Sequence, residues 1–143
     1  MTVVTTPHLN FRGTAQAALE FYHSVFGGQL VLVTNEQAFS AEIAEEAAQI
    51  KFGQVIGENG FQIMGYDVPS SVAHGKGEKA LFVSVRSDSA DEIADLWGRL
   101  VEGSEVISPL APSPFSPAYG MLTDAFGITW VLDVAVAYDP AAN

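Results

Sequence analysis

Few residues in this chain of 143 are of a type and spacing that could do chemistry. Its three histidines, His8, His23 and His74, are scattered along the sequence and make a poor metal signal by themselves. Cysteine is absent, which removes disulfides, thiol nucleophiles and thiolate-bound zinc together. No Gly-x-Ser-x-Gly elbow and no Ser-His-acid ordering supplies a nucleophile. Gly75-Lys76-Gly77 lacks the long glycine-rich stretch and the Lys-Ser/Thr ending of a phosphate loop. The carboxylate pairs Glu45-Glu46 and Asp91-Glu92 fall on helical stretches, where solvated charge is their ordinary role. His8 follows Pro7 on an extended segment and reads either as hydrogen-bonded structure or as a ligand. His23 falls on the polar side of a helix, and His74 in the polar linker Pro69 to Gly77.

The elements that must position these residues form a repeat. Ala15, Ala18, Leu19, Tyr22 and Phe26 follow helical spacing, with Thr14 as the expected N-cap and Gly27-Gly28 as the stop. A second helix opens on the capping box Ser89-Ala-Asp-Glu92, presents Ile93, Leu96, Trp97, Leu100 and Val101 on one face, and ends at Gly103. A short strand precedes each helix (Pro7 to Phe11, Leu81 to Val85) and another follows it (Gln29 to Thr34, Ser104 to Ser108). Each half then closes with a hairpin. Phe52 to Gly57 and Phe61 to Tyr66 flank Glu58-Asn59-Gly60; Tyr119 to Thr123 and Ile128 to Val134 flank Asp124-Ala-Phe-Gly127. The order is β-α-β-β-β, twice. The first half has an extra acidic segment, Phe39 to Gln49, read as a helical turn or two; the second has a proline-rich loop, Pro109 to Pro117.

The fold class expected is therefore α+β, with two tandem β-α-β-β-β modules forming a curled, partly open mixed sheet around a cavity. One domain spans residues 1–143, with the first repeat at about 5–67, a linker at about 68–79 and the second repeat at about 80–137. A composition 48% hydrophobic and 16% charged is that of a packed domain. The formal charge of −11, from six basic and seventeen acidic residues, leaves no basic footprint for nucleic acid or anionic lipid. The start, Met1-Thr-Val-Val-Thr-Thr-Pro7, has no basic n-region, and the uncharged run Val106 to Thr123 is broken by four prolines. A cytoplasmic protein with no membrane partner is expected.

The runs Pro7-His-Leu-Asn-Phe11, Ala17-Ala-Leu-Glu-Phe-Tyr22, Phe26-Gly-Gly28 and Tyr119-Gly-Met-Leu-Thr-Asp-Ala-Phe-Gly-Ile-Thr-Trp-Val-Leu132 resemble the vicinal oxygen chelate superfamily. More narrowly they are similar to the PhnB-like branch of its glyoxalase, bleomycin-resistance and dioxygenase group. The resemblance covers residues 7–134 and implies the paired-module fold and a homodimer. It does not imply one activity, because the superfamily holds isomerases, thiol transferases, dioxygenases and non-catalytic drug binders. Its metalloenzymes hold a divalent cation with side chains from inner strands of both repeats. Carried over by position, those ligands fall at His8, near Gly53 with Gln54 beside it, at about Ala80, and at about Val131. Only the first keeps a donor, so no cofactor and no metal are expected; rescue would require Gln54 with Glu78 or Asp133. The alternative is a metal-dependent lyase, transferase or dioxygenase with His8 as a ligand.

Strand alternation nominates the residues of a binding surface. Phe52, Gln54 and Ile56 share a face, as do Gln62, Met64 and Tyr66; Tyr119, Met121 and Thr123 share another. Phe52, Met64, Phe82, Tyr119 and Trp130 would form an apolar chamber, with His8, Asn10, Gln54 and Ser84 as polar fixing points and Phe115 at its rim. Each aromatic has core packing as its other reading. Where PhnB-like relatives often carry an aromatic-Trp-Gly sequence, this chain has Phe115-Ser-Pro117. The small-molecule ligand expected is an amphipathic aromatic compound that the protein sequesters or carries. The acidic segment Ala41 to Gln49 at the mouth would favour a cationic one.

Overall fold

A computed structural model describes residues 4–75, 77 and 81–136. The chain divides between residues 78 and 79 into two compact units. In the first, strand β1 (His8–Phe11) leads into helix α1 (Ala15–Phe26), then β2 (Gln29–Thr34), β3 (Ile50–Ile56) and β4 (Gln62–Asp67). In the second, β5 (Val83–Ser87) leads into helix α2 (Ala90–Leu100), then β6 (Glu105–Ser113), β7 (Ser116–Thr123) and β8 (Thr129–Val134). The two four-stranded sheets have the same strand order, β1-β4-β3-β2 and β5-β8-β7-β6. In each, the first strand pairs in parallel with the last and the remaining neighbours are antiparallel. The doubled β-α-β-β-β order expected from the sequence is present.

Glycines in the strands decide which sheet face each helix covers. Gly53 and Gly65 are cross-strand partners. A Cβ on Gly53 would lie 2.3 Å from Leu19 Cδ1, and one on Gly65 3.6 Å from Leu19 Cδ2, so the two glycines form a seat for the Leu19 side chain. Around that seat Phe11, Ala15, Ala18, Tyr22, Val55 and Ile63 are almost entirely buried. The second unit repeats the device with a larger side chain. A Cβ on Gly120 would lie 2.7 Å from Cζ3 of Trp97, and Ile93, Leu100, Leu122, Trp130 and Leu132 pack around it. Each fully buried aliphatic side chain contributes about 1.5–3 kcal/mol, so these cores fix the helix-covered faces and leave the opposite faces to other uses.

The helix starts are secured differently. Ser89 caps α2 as its sequence implies, accepting from the Glu92 N–H at 3.2 Å. Thr14 occupies the N-cap position of α1 but makes no side-chain capping bond. The cap comes instead from Asp67, at the end of β4. Its Oδ1 accepts from the Gly13 and Ala15 N–H groups at 2.7 and 3.0 Å, and its Oδ2 from Ile50 N–H at 2.9 Å.

One connection matches expectation and one differs. The Phe39 to Gln49 segment holds one 3-10 turn, Ala44–Glu46, in line with the helical turn or two read there. Glu46 accepts from Ser70 N–H at 3.0 Å and Glu42 from the Ser71 hydroxyl at 2.5 Å, which ties the acidic segment to the chain following β4. The proline-rich stretch is largely strand: β6 runs through Pro109 and Pro112, and only Pro114 and Phe115 separate it from β7. β6 is the edge of its sheet and its register with β7 shifts three times. An edge strand tolerates residues that cannot donate to the ladder.

Candidate functional site

The face of the first sheet opposite α1 gathers most of the sequence-nominated residues of that half. His8, Met64, Gln54 and Val31 stand in register across all four strands. One step along, Asn10 pairs with Tyr66, and Val33 with Phe52; one step the other way, Ile56 pairs with Gln62 and Gln29. Side chains on this face are half-buried or exposed, with Phe52 39% exposed, whereas the alternating residues Gly53, Val55, Ile63 and Gly65 are buried beneath α1.

Polar groups on this face are held by one another. His8 Nδ1 lies 3.0 Å from Asn10 Oδ1. An amide oxygen only accepts, so Nδ1 is the donor in that bond, and Nε2 has no hydrogen-bond partner among the described residues. The imidazole also meets the Tyr66 ring edge-on, with centroids 5.3 Å apart. Gln54 Nε2 donates to Gln62 Oε1 at 3.5 Å. The result is a mixed surface carrying one imidazole, four amides, a phenol and a thioether, and no carboxylate among the described residues. Such a surface can bind an aromatic body through Phe52, Met64 and Tyr66 and orient it by hydrogen bonds.

The second sheet also has an open face. One row across it reads Arg86, Asp133, Tyr119, Ala111, and the next Ser84, Val131, Met121, Ser108. Arg86 Nε donates to Asp133 Oδ1 at 3.0 Å. Phe115, at the β6–β7 turn, meets Tyr119 edge-on with centroids 5.0 Å apart. Phe82 immediately precedes β5 and is 42% exposed. Trp130 is not on this face. It lies in the row Val83, Trp130, Leu122, fully buried, with its indole N–H donating to Asp124 Oδ2 at 2.9 Å. Trp130 is therefore a core residue, and its inclusion in the apolar chamber is corrected. The same Asp124 accepts from Phe126 and Ile128 N–H groups and so organises the β7–β8 turn.

The remaining histidines also have structural roles or surroundings. A His23 ring nitrogen lies 2.9 Å from the Gly28 carbonyl at the end of α1, so this residue helps close the helix rather than standing free in solvent. His74 is half-buried, with its Nε2 shielded from water, in a segment that Arg12 grips through the carbonyls of Pro69 and Val72.

Among the described residues the candidate donors are dispersed over the two sheets. Gly53 faces Leu19 under the helix, so Gln54 holds the open-face position next to Met64 in the His8 row. Val131 is on the open face of the second sheet but carries no donor, and Asp133 is committed to Arg86. Ala80 and Glu78 lie outside the described residues. Among the described residues no three His, Asp or Glu side chains come together in a way that could hold a metal ion. No helix of the described residues is long and apolar enough to cross a membrane.

Residues 4–132 match a family model described as 3-demethylubiquinone-9 3-methyltransferase. No curated protein matches the sequence. Among solved structures, protein PA1353 from Pseudomonas aeruginosa is 28% identical, with TM-score 0.80 over 94% of this chain and 98% of that one. A PhnB protein from Bacillus cereus, described as a candidate 3-demethylubiquinone-9 3-methyltransferase, is 27% identical, with TM-score 0.70 over 93% of this chain and 100% of that one. A glyoxylase/bleomycin resistance protein/dioxygenase domain from Frankia sp. EAN1pec shares the fold at 15% identity, with TM-score 0.65 over 95% of this chain and 99% of that one.

Proposed function

Because the chain belongs to this PhnB-like family of the vicinal oxygen chelate superfamily, we propose that it is a small-molecule-binding protein that sequesters or carries an amphipathic aromatic compound. The observation that carries this reading is the first sheet's open face. Phe52, Met64 and Tyr66 stay accessible there beside the fixed pair His8 and Asn10. An ordinary core would bury such side chains, and an ordinary surface would replace them by charge.

The methyl-transfer activity in the family's description needs a nucleoside methyl donor as well as an aromatic acceptor, and the sequence has no motif for that donor. The amphipathic aromatic acceptor named in that description is the part that suits the open face.

Isothermal titration with 2-naphthol tests the reading. Binding that weakens at least fivefold in Phe52→Ala, with the melting temperature unchanged, supports it; a wild-type protein that leaves 2-naphthol and its ring homologues unbound sinks it. The second reading, a metal-dependent lyase, transferase or dioxygenase, is favoured by one observation, the His8 Nε2 without a hydrogen-bond partner among the described residues. It requires about one tightly bound divalent metal per chain and its loss in His8→Ala, both measured by elemental analysis. We place the protein in the cytoplasm as a homodimer, with nucleic acid and membrane excluded as partners by its charge. The dimer is supported by exposed apolar side chains such as Leu81 (90%) and Ile107 (49%), and light scattering at the mass of one chain would refute it.

A further inference from the structure

Arg86 is one of only six basic residues in a chain of net charge −11, and it stands on the open face of the second sheet. Its side chain is 55% exposed, while that of its partner Asp133 is 11% exposed. The pairing uses Nε, so the guanidinium is anchored by one N–H. Its two terminal NH2 groups have no hydrogen-bond partner among the described residues. An arginine fixed at Nε presents those groups as a planar fork, which matches the two oxygens of a carboxylate.

Asp133 is the register partner of both Arg86 and Tyr119. The guanidinium, bonded over β8, is thus one strand spacing, about 5 Å, from the Tyr119 strand. Tyr119 in turn carries the Phe115 ring, itself 61% exposed. Anion-binding fork and aromatic corner therefore lie side by side, next to the mixed row of Ser84, Val131 and Met121. Asp133 cancels the formal charge of Arg86, and the protein as a whole repels anions. Recognition here must rest on the geometry of the fork and not on general attraction.

We infer that the open face of the second sheet is a further binding site, in which Arg86 recognises the carboxylate of an aromatic carboxylate whose ring packs against Tyr119 and Phe115. It goes beyond the first-sheet reading, sharing with it only the aromatic class of ligand, and it opposes the cationic ligand suggested by the acidic segment. Isothermal titration of the full chain with three isosteres, 2-naphthoate, 2-naphthamide and (2-naphthyl)methylammonium, separates the two ideas.

The expected result is that naphthoate binds about tenfold tighter than naphthamide, a preference sized for a charge-assisted contact that is partly exposed. Arg86→Met should abolish that preference while leaving naphthamide affinity unchanged. Arg86→Lys, which keeps the charge next to Asp133 but lacks the fork, should recover only part of it, and its melting temperature controls for folding. Naphthamide or the cation binding as well as naphthoate would overturn the inference while leaving the aromatic-binding reading intact. So would a naphthoate preference that survives Arg86→Met. If none of the three binds, the Arg86 inference fails, and the first-sheet reading is decided separately by 2-naphthol and Phe52→Ala.

Discussion

Removing the Asp67 carboxylate should destabilise the protein far more than removing the side chain at the helix cap. Asp67 is 3% exposed and accepts three backbone N–H bonds, from Gly13, Ala15 and Ile50. Asp67→Ala strands those three donors. A buried donor left unpaired costs about 1–3 kcal/mol, and water entering the vacated space recovers part of the sum, so about 3 kcal/mol is expected. Unfolding entropy of about 2.1 cal/mol/K per residue gives about 0.3 kcal/mol/K for a chain this long, so the melting temperature should fall about 10 °C. Asp67→Asn is the sharper probe. Its amide oxygen can keep Gly13 and Ala15, but its NH2 then faces the Ile50 N–H, donor against donor, so a loss of about 2 kcal/mol is expected. Thr14→Ala removes a side chain that makes no capping bond and should cost under about 0.5 kcal/mol, well below the typical 1 kcal/mol for a working N-cap. Thermal and urea unfolding followed by circular dichroism measure all three. A Thr14→Ala loss as large as that of Asp67→Ala, or an Asp67→Asn protein as stable as wild type, would refute the assignment of the cap to β4.

Gly53→Ala should cost about 1–3 kcal/mol by overpacking against Leu19, and Leu19→Ala in the same chain should cost less than it does alone, as a double-mutant cycle in urea would show. Strict additivity would mean that the two do not share a seat. Trp130→Phe should lose about 1–3 kcal/mol with the bond to Asp124 and leave naphthoate affinity within about twofold; affinity loss at unchanged stability would return Trp130 to the binding surface. Phe39 has φ +54° and is 97% exposed, so Phe39→Asn should raise stability by about 0.5 kcal/mol in thermal melts, since Asn tolerates the left-handed region better. A destabilised Phe39→Asn would show that the ring has a partner.

Local signals carried far in this sequence and non-local ones did not. Both helices announced themselves by i, i+3, i+4 spacing and a glycine stop, and Gly27 and Gly103 take positive φ of 71° and 72°. The Asn59-Gly60 turn is of the same kind, with φ 58° and 88°. Alternation put Phe52, Gln54 and Ile56 on one face correctly, because β3 keeps its register with β2 throughout that stretch. Alternation alone does not say which face a helix covers, and that is why Trp130 was expected in the chamber. The deciding contact, Trp97 on Gly120, joins residues 23 positions apart. Asp67 is 52 residues from the helix it caps, whereas Thr14 adjoins that helix and has a capping residue's chemistry. The prolines of β6 read as loop because tolerance of proline depends on being the edge strand, a property of the whole sheet. Arg86 alternates with Val85 and Ser87 and reads as ordinary surface until Asp133 is placed opposite it.

The repeat explains why one scaffold can host different chemistries at its two open faces. In each unit the helix-covered side is constrained by a close fit, with Leu19 seated on Gly53 and Gly65 in the first and Trp97 on Gly120 in the second. Almost any side chain added at those glycines meets atoms already there. The opposite side carries no such constraint, since its residues are half-exposed and mostly touch one another. Equivalent rows have accordingly diverged. Counted from the glycine seats, the first sheet's row of Asn10, Tyr66, Phe52 and Val33 is amide, phenol, phenyl and isopropyl, and the second sheet's row of Arg86, Asp133, Tyr119 and Ala111 is guanidinium, carboxylate, phenol and methyl. Exchanging His8 changes what can be bound there, at a stability cost limited to surface contacts of about 1 kcal/mol or less, whereas exchanging Arg86 also leaves the buried Asp133 carboxylate unpaired and costs more. The fold is held on the helix side of each sheet, and recognition can vary on the other.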